Sequence, residues 1–270
     1  MRTKTFDFDN IIYDYNSLTS TQTEAKRLAL SGIKRAIVVT KEQTNGKGRC
    51  GRNWKSPLGG GLYVSYLLTL KIHPSRIHLM NFVAGLAVVF FLNDTYGINA
   101  ALKWPNDVII ESNNDSIDDL NSTHSSCSAY RKICGILSEA ATNADEVKFC
   151  IVGIGINCKQ EAIPPEISSC ACALDEYVDN IDERDLLRGI SNEFFTRVEN
   201  FESLGTDKLL EEYVSHCSTI GKTVRIETDN VTINGIATGI GESGELLVET
   251  KNGVEKFSSA DVFHATICKT

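Results

Sequence analysis

Residues 43–57 read QTNGKGRCGRNWKSP. Lys47, Arg49, Arg52 and Lys55 alternate there with Gly46, Gly48 and Gly51, and Trp54 stands among them. Glycine lets backbone N–H groups approach an anion closely, and cations on the same segment add charge, so this composition suits a phosphate-bearing ligand. The indole offers a flat face to a base or ring. The three glycines match G-x-G-x-x-G, but a dinucleotide fingerprint needs a helix straight after them. Here Pro57 and a glycine triplet at 59–61 follow instead. The Walker spacing is missing as well. A solvated basic loop is the ordinary alternative. The density of cations, glycines and one Trp in so short a span favours the ligand.

Three further segments carry polar groups at strand ends. KWPND at 103–107 closes a short strand, and Pro105 stiffens the exit so that Asn106 and Asp107 project from a fixed backbone. Taken alone it reads as an ordinary turn. KICGILSE at 132–139 opens an apolar strand with Lys132, and Gly135 inside it marks close approach of a ligand or backbone, or else a bulge. VGIGIN at 152–157 is a β run with two glycines that ends on Asn157; its plain reading is a bulged strand closing the sheet.

The elements that must hold these groups follow from periodicity. Ser20 and Thr21 precede an amphipathic run, Glu24 lies close behind, and Gly32 follows: an N-capped helix. Strands are predicted at 36–40, 62–70, 101–103, 108–110, 133–141 and 148–155, and helices at 76–96, 182–201 and 206–217. Residues 43–61 are expected to be a loop, with Gly46–Ser56 mobile because its like charges repel when the site is empty. Residues 111–130, full of Ser, Asn and Asp, read as a flexible insertion. From residue 221 short alternating strands with frequent turn residues take over. The division is 1–220 for an α+β body and 221–270 for a small β unit.

The chain has 270 residues and a net charge of −8, a poor balance for a nucleic-acid binder. Its nine cysteines include no Cys-x-x-Cys pair, so a zinc site and a small disulfide framework are both unexpected, and reduced thiols in a cytoplasmic protein are the preferred reading. The apolar run at 79–92 is interrupted by Asn81 and is too short for a membrane span. The N-terminus has no secretory or transit pattern. No metal-ligating cluster stands out.

Taken in order, these segments resemble the biotin–protein ligases. That family's loop reads GRGRxGRxWxSPxGxGLYxS, and this chain reads GKGRCGRNWKSPLGGGLYVS from Gly46 to Ser65. KWPND, K-x-x-G-I-L-x-E and the G-x-G-x-N ending also match, and an early S-T-N-x-x-A motif occurs as STQTEA. The likeness is strong over roughly residues 15–160 and extends to the C-terminal unit by position and type. Lys47 stands where the family has arginine, which loses the bidentate fork. Gln22 replaces the family's asparagine, and Cys50 fills a variable position.

The resemblance implies a mixed-sheet catalytic domain of the biotin/lipoate ligase type with a small C-terminal SH3-like β-barrel. It implies two steps: biotin and ATP form biotinyl-5′-AMP, with Mg2+ on the phosphates, and the adenylate then passes biotin to a lysine of a carboxylase's biotin carrier domain. By resemblance Arg49 and Lys132 lie nearest the chemistry and touch both ligands. Ser20, Thr21, Gln22, Gln43, Lys47, Gly48 and Gly135 serve biotin, with an apolar wall near Gly135 and Ile136. Arg52, Trp54, Asn106 and Asn157 serve ATP, with Trp54 packed on adenine, and Asp107 assists the acceptor amine. A homodimer is compatible with the family; nucleic acid and membrane are not expected partners. The rivals are a lipoate–protein ligase, sharing fold and chemistry, and a ligase-like binding protein without catalysis. A bifunctional ligase and repressor is set aside because the Ser-Thr motif begins at residue 20.

Overall fold

The computed structural model describes residues 2–5, 11–111, 130–228 and 232–264. In chain order the body contains β1 Arg2–Thr5, β2 Ile11–Tyr15, α1 Thr21–Leu30, β3 Ala36–Thr40, β4 Gln43–Lys47, β5 Asn53–Ser56, β6 Gly61–Leu68, α2 Met80–Tyr96, β7 Ala100–Lys103, β8 Asp107–Glu111, β9 Tyr130–Thr142, β10 Val147–Asn157, α3 Glu183–Leu204 and α4 Thr206–Ser215. Eight of the strands form one mixed sheet in the order β1-β2-β3-β6-β10-β9-β8-β7. Only β2 and β3 run parallel, because α1 carries the crossover between them.

The two faces of this sheet are covered differently. On one lies α2, whose buried residues recur on every side, including Phe82, Val83, Leu86, Val89 and Leu92. A helix apolar all round must be enclosed, and α3 and α4 pack outside it. The predicted helix at 76–96 is thus α2 preceded by a 3-10 turn at Pro74–Leu79. The joined stretch is long and apolar enough to cross a membrane, but most of it is packed inside the fold. On the other face α1 packs Ala25 and Leu28 against Val38, Leu67 and Ile151.

Three local expectations need correction. Residues 43–61 are not a simple loop: β4 and β5 pair as a ribbon across a 3-10 turn at Arg49–Gly51. Ser20 occupies the N-cap position in extended backbone, yet its hydroxyl makes no capping bond. The Thr21 N–H donates instead to Gln43 Oε1 at 2.9 Å, so the ribbon supplies the cap. The ends of the expected insertion, Glu111 and Tyr130, are paired strand residues; residues 112–129 lie outside the described ones.

The C-terminal unit is a five-stranded antiparallel sheet of β11 Thr223–Glu227, β12 Thr232–Ile240, β13 Leu246–Thr250, β14 Gly253–Phe257 and β15 Asp261–His264, in the order β14-β13-β12-β11-β15. Val224, Ile226, Leu246 and Val248 join the same apolar core as α2. Polar bonds lock the junction. The Trp104 indole donates to Gly244 O at 3.0 Å, and the Trp104 N–H donates to Thr219 Oγ1 at 3.2 Å. Among the described cysteines six are free, and burial pushes the thiols of Cys150 and Cys158 up to about 12. Cys170 is disulfide-bonded, against the expectation that all thiols are reduced.

His264 is 3% exposed, and its Nε2 sits 3.1 Å from Thr219 Oγ1. Burial, then the charges of Lys103 and Lys222, hold its pKa down at about 3. The folded value lies below the unfolded value of 6.5, so the unfolded chain takes up the proton first as pH falls. The stability this group contributes is complete above pH 6.5 and is lost progressively toward pH 3, at up to ~1.4 kcal/mol per pH unit. Glu24 and Glu111, whose values are also lowered, add their own loss only below about 4.5. Urea unfolding of His264→Gln is therefore expected to show a flatter loss of stability between pH 6.5 and 5 than the wild type. Parallel curves would show that His264 is not held neutral at this junction.

Candidate active site

The floor of the site comes from strand alternation. Along β10, Val152, Ile154 and Ile156 enter the α2-side core. Gly153, Gly155 and Asn157 must then face the opposite side. Gly155 is paired with Gly135 of β9, and Gly153 with Leu137. The β10 glycines therefore sit in regular pairing rather than at the expected bulge. A Cβ on Gly155 would lie 2.5 Å from Trp54 Nε1, and one on Gly135 would lie 2.9 Å from Trp54 Cζ3. Glycine is required because an indole rests directly on the strand backbone. Ile136 joins the core and also lines the cavity beside Gly135, where Leu137 adds to the expected apolar wall.

A bulge does occur in β9, between the pairs Val108↔Cys134 and Ile109↔Lys132. It allows Ile133 and Cys134 both to enter the core. The extra residue shifts the alternation, and Lys132 is thereby aimed at the cavity beside Gly135. Lys132 Nζ lies 2.6 Å from Asp107 Oδ1 and 5.2 Å from the centroid of the Trp54 ring.

The ribbon carries the other cations to the same place, and each of three has a protein partner. Lys47 Nζ is 3.9 Å from Glu139. Arg49 donates to Asn106 Oδ1 at 3.0 Å, to Ser259 Oγ at 2.7 Å and to Ala260 O at 3.4 Å. Arg52 pairs with Asp261. The expected repulsion within the loop is thus offset by Glu139 of β9 and Asp261 of the C-terminal sheet, while Arg49 is held by Asn106 in the turn before β8. Gly46 is held tightly as well: a Cβ there would meet Trp54 O at 2.4 Å.

Asp107 is the acid among these cations. Burial alone pushes its value up, but Lys132 first and Lys103 second pull it below the ordinary carboxylate range. Asn106 is fixed by donating to Ile136 O at 2.8 Å, and Asn157 by donating to Cys172 O at 3.1 Å. Gln43 is fully engaged, accepting from Thr21 and donating to Ser56 Oγ at 2.8 Å.

One cavity of about 390 Å3 gathers every predicted site residue: Ser20, Thr21, Gln22, Gln43, Lys47, Gly48, Arg49, Arg52, Trp54, Asn106, Asp107, Lys132, Gly135 and Asn157. Sequence reading gave no site role to Lys103, Gly153 and Gly155, and it missed a strip from Ala162 to Ala171 and Ala260 to Val262 of the C-terminal unit. Lys103 was in view inside KWPND without a role; the strip and the C-terminal residues carry no motif. Three buried polar atoms of the lining, Ser20 Oγ, Gln22 Oε1 and Trp54 Nε1, have no partner within the protein. Among the described residues no group of three His, Cys, Asp or Glu side chains is placed to hold a metal ion.

A cation-rimmed cavity on a glycine floor defines a site for an anionic ligand with a flat ring. Comparison with known proteins makes the class specific. Residues 15–157 match the Biotin/lipoate A/B protein ligase family, and residues 219–265 match the Biotin protein ligase C terminal domain. The chain belongs to the biotin/lipoate A/B protein ligase family. It is 32% identical to the bifunctional ligase/repressor BirA of Bacillus subtilis, over 94% of this chain and 73% of that protein. It is 27% identical to the biotin--[acetyl-CoA-carboxylase] ligase of Paracoccus denitrificans, over 90% and 96%. Among solved structures, the biotin protein ligase from Aquifex aeolicus in complex with biotin and ATP superposes with a TM-score of 0.78 at 27% identity, over 96% of this chain and 100% of that one.

The contact between Trp54 and the floor is directly testable. Valine suits a strand, so Gly155→Val is expected to keep the fold while displacing the indole toward water. The tryptophan emission should shift to the red, with Trp104, 1% exposed, as a constant background. Unchanged emission in a folded Gly155→Val protein would mean that Trp54 does not rest on this strand.

Proposed function

We propose that this chain activates biotin with ATP as biotinyl-5′-AMP and transfers it to a lysine of a biotin carrier domain. Membership of the ligase family and the likeness to biotin protein ligases carry the activity. The observation that selects biotin's chemistry is the set of orphaned polar atoms at Ser20 and Gln22. Leaving a buried polar group unpartnered costs roughly 1–3 kcal/mol. A ureido ring presents N–H donors and a carbonyl to such groups. A dithiolane ring presents neither, so lipoate is the weaker reading. A non-catalytic binding role is weaker too, because the cations and Asp107 converge on one cavity.

In the first step a carboxylate oxygen of biotin bonds to the α-phosphorus of ATP, and the bond to pyrophosphate breaks. Two anions must meet, so charge must be neutralised where they touch. Arg49 and Lys132 are assigned to that contact, with Lys47 and Arg52 at its edge. Each would exchange its present partner for the ligand: Asp107 for Lys132, Asp261 for Arg52. Mg2+ would be carried by the ATP phosphates and retain water, as this ion commonly does, and it would lend charge neutralisation there. Trp54 is assigned to adenine, and Asn106 and Asn157 to its edge. Thr21, Gln22, Gln43, Gly48 and Gly135 are assigned to the biotin side.

In the second step the carrier lysine must lose a proton before it attacks. Asp107, held ionised, is the acceptor we assign. The ribbon 43–56 over the cavity would shield the mixed anhydride from water. We also propose that 1–220 and 221–270 act as two units, that the protein works in the cytoplasm, and that a homodimer is its assembly. The acidic net charge argues against a nucleic-acid partner.

The test is biotin-dependent ATP–pyrophosphate exchange and biotin transfer to a purified carrier domain, with lipoate run in parallel. Arg49→Ala and Lys132→Ala are each expected to lose roughly 2–4 kcal/mol of transition-state stabilisation, a fall of about 30- to 1000-fold in exchange. Near-normal exchange in both variants would remove the assignment; lipoate turnover exceeding that of biotin would replace the substrate.

A further inference from the structure

Lys103 is a charged side chain enclosed in the protein, and the scheme above gives it no task. The residue is 8% exposed, and it lines the cavity. The β7–β8 register sets Lys103 directly opposite Asp107. Its Nζ lies 5.4 Å from the centroid of the Tyr130 ring, a face that holds a cation without competing for a hydrogen bond. Enclosing a lone ammonium is unfavourable unless an anion compensates it, and Asp107 is the acid placed to do so.

The need for that cation appears when the site fills. Asp107 is paired with Lys132 at 2.6 Å. In the scheme above, bound phosphate would draw Lys132 away and bring negative charge close to Asp107. Both changes favour protonation of a half-buried carboxylate, and a protonated Asp107 can no longer accept a proton from the acceptor amine.

We propose that Lys103 is a positioning residue for the transfer step: a second, non-exchanging cation that keeps the Asp107 carboxylate charged and facing the site once Lys132 has gone to the ligand. This rests on the ligase reading above. Other groups around the pair do not substitute for it. Arg49 and Arg52, which also act on Asp107, belong to the ribbon and are themselves claimed by phosphate. Asp261 faces Lys103 from the C-terminal sheet but is paired with Arg52. Tyr130 and Cys134 are pushed by burial far above neutral pH, and His264 is held near 3, so none changes charge across the working range. Burial lowers the value of Lys103 itself, while Asp107 opposes that shift, so each ion supports the charged form of the other.

The step balances as follows. The carrier ammonium gives one proton to Asp107. The freed nitrogen pair forms a bond to the biotinyl carbonyl carbon, and the carbon–oxygen bond to phosphate breaks with its electron pair leaving on AMP. The second nitrogen proton leaves with the departing phosphate. Such a step requires ionised Asp107 and protonated lysine together, so its rate is flat in pH between their two values and falls on the acid side where Asp107 protonates.

The experiment loads enzyme with biotinyl-5′-AMP, mixes it with carrier domain, and follows single-turnover transfer from pH 3.5 to 9 so that both acid edges are spanned. For Lys103→Met the acid edge is expected to move up by at least about one pH unit, and for Lys103→Arg to return toward the wild-type position. An acid edge unmoved in Lys103→Met, or a uniform loss at every pH, would overturn the proposal. Should Lys103→Met not fold, Lys103→Gln carries the same test. If the wild-type enzyme transfers no biotin from the adenylate, the ligase reading fails and not the role of Lys103.

Discussion

Cations that serve an anionic ligand must be kept together before the ligand arrives. Lys47, Arg49, Arg52, Lys55, Lys103 and Lys132 all line one cavity. Two like charges 4 Å apart repel by about 4 kcal/mol at an effective dielectric near 20. The protein offsets this with carboxylates from separate elements: Glu139 from β9, Asp107 from β8 and Asp261 from β15. The eight-stranded sheet and the docked C-terminal sheet are needed together because no single element supplies all three.

The sheet meets a second demand by giving its faces opposite tasks. Val152, Ile154 and Ile156 fill the core under α2, while the residues between them leave room above. Trp54 occupies that room against Gly135 and Gly155. The β9 bulge completes the arrangement, because without the extra residue Ile133 and Lys132 would exchange sides. Stability and function are thus written into alternate positions of the same strands.

This explains what could be read from sequence. The strands at 36–40 and 148–155, the helix after Ser20 and the motif residues depend on local period and type, and the structure places them close to expectation. Glycines 153 and 155 read as a bulged strand, and Gly135 as a close approach or a bulge; only the pairing partners decide. The cap of α1 was misread because it comes from Gln43, across space rather than along the chain. Asp261 and Ala260 were missed for the same reason: their position against Arg52 and Arg49 depends on how the small sheet docks, through Trp104, Thr219 and His264. Cys170 gave no sign of bonding, since cysteines without a recognised spacing carry no pairing rule.

Burial then sorts the ion pairs by what they can do. Arg52 and Asp261 are 65% and 29% exposed, and Lys47 and Glu139 are 41% and 33% exposed. Pairs so open to water contribute little, roughly 0–1 kcal/mol, so an incoming phosphate displaces them readily. Lys132 and Asp107, at 30% and 20%, are intermediate. Lys103, at 8%, is the least exposed of these cations and is set opposite Asp107 by its strand register. In the proposed scheme the exchanging cations are those on the ribbon and at the cavity edge, and the fixed one is Lys103, paired opposite Asp107 in the sheet. A carboxylate placed between an exchanging and a non-exchanging cation can change partners without losing its charge.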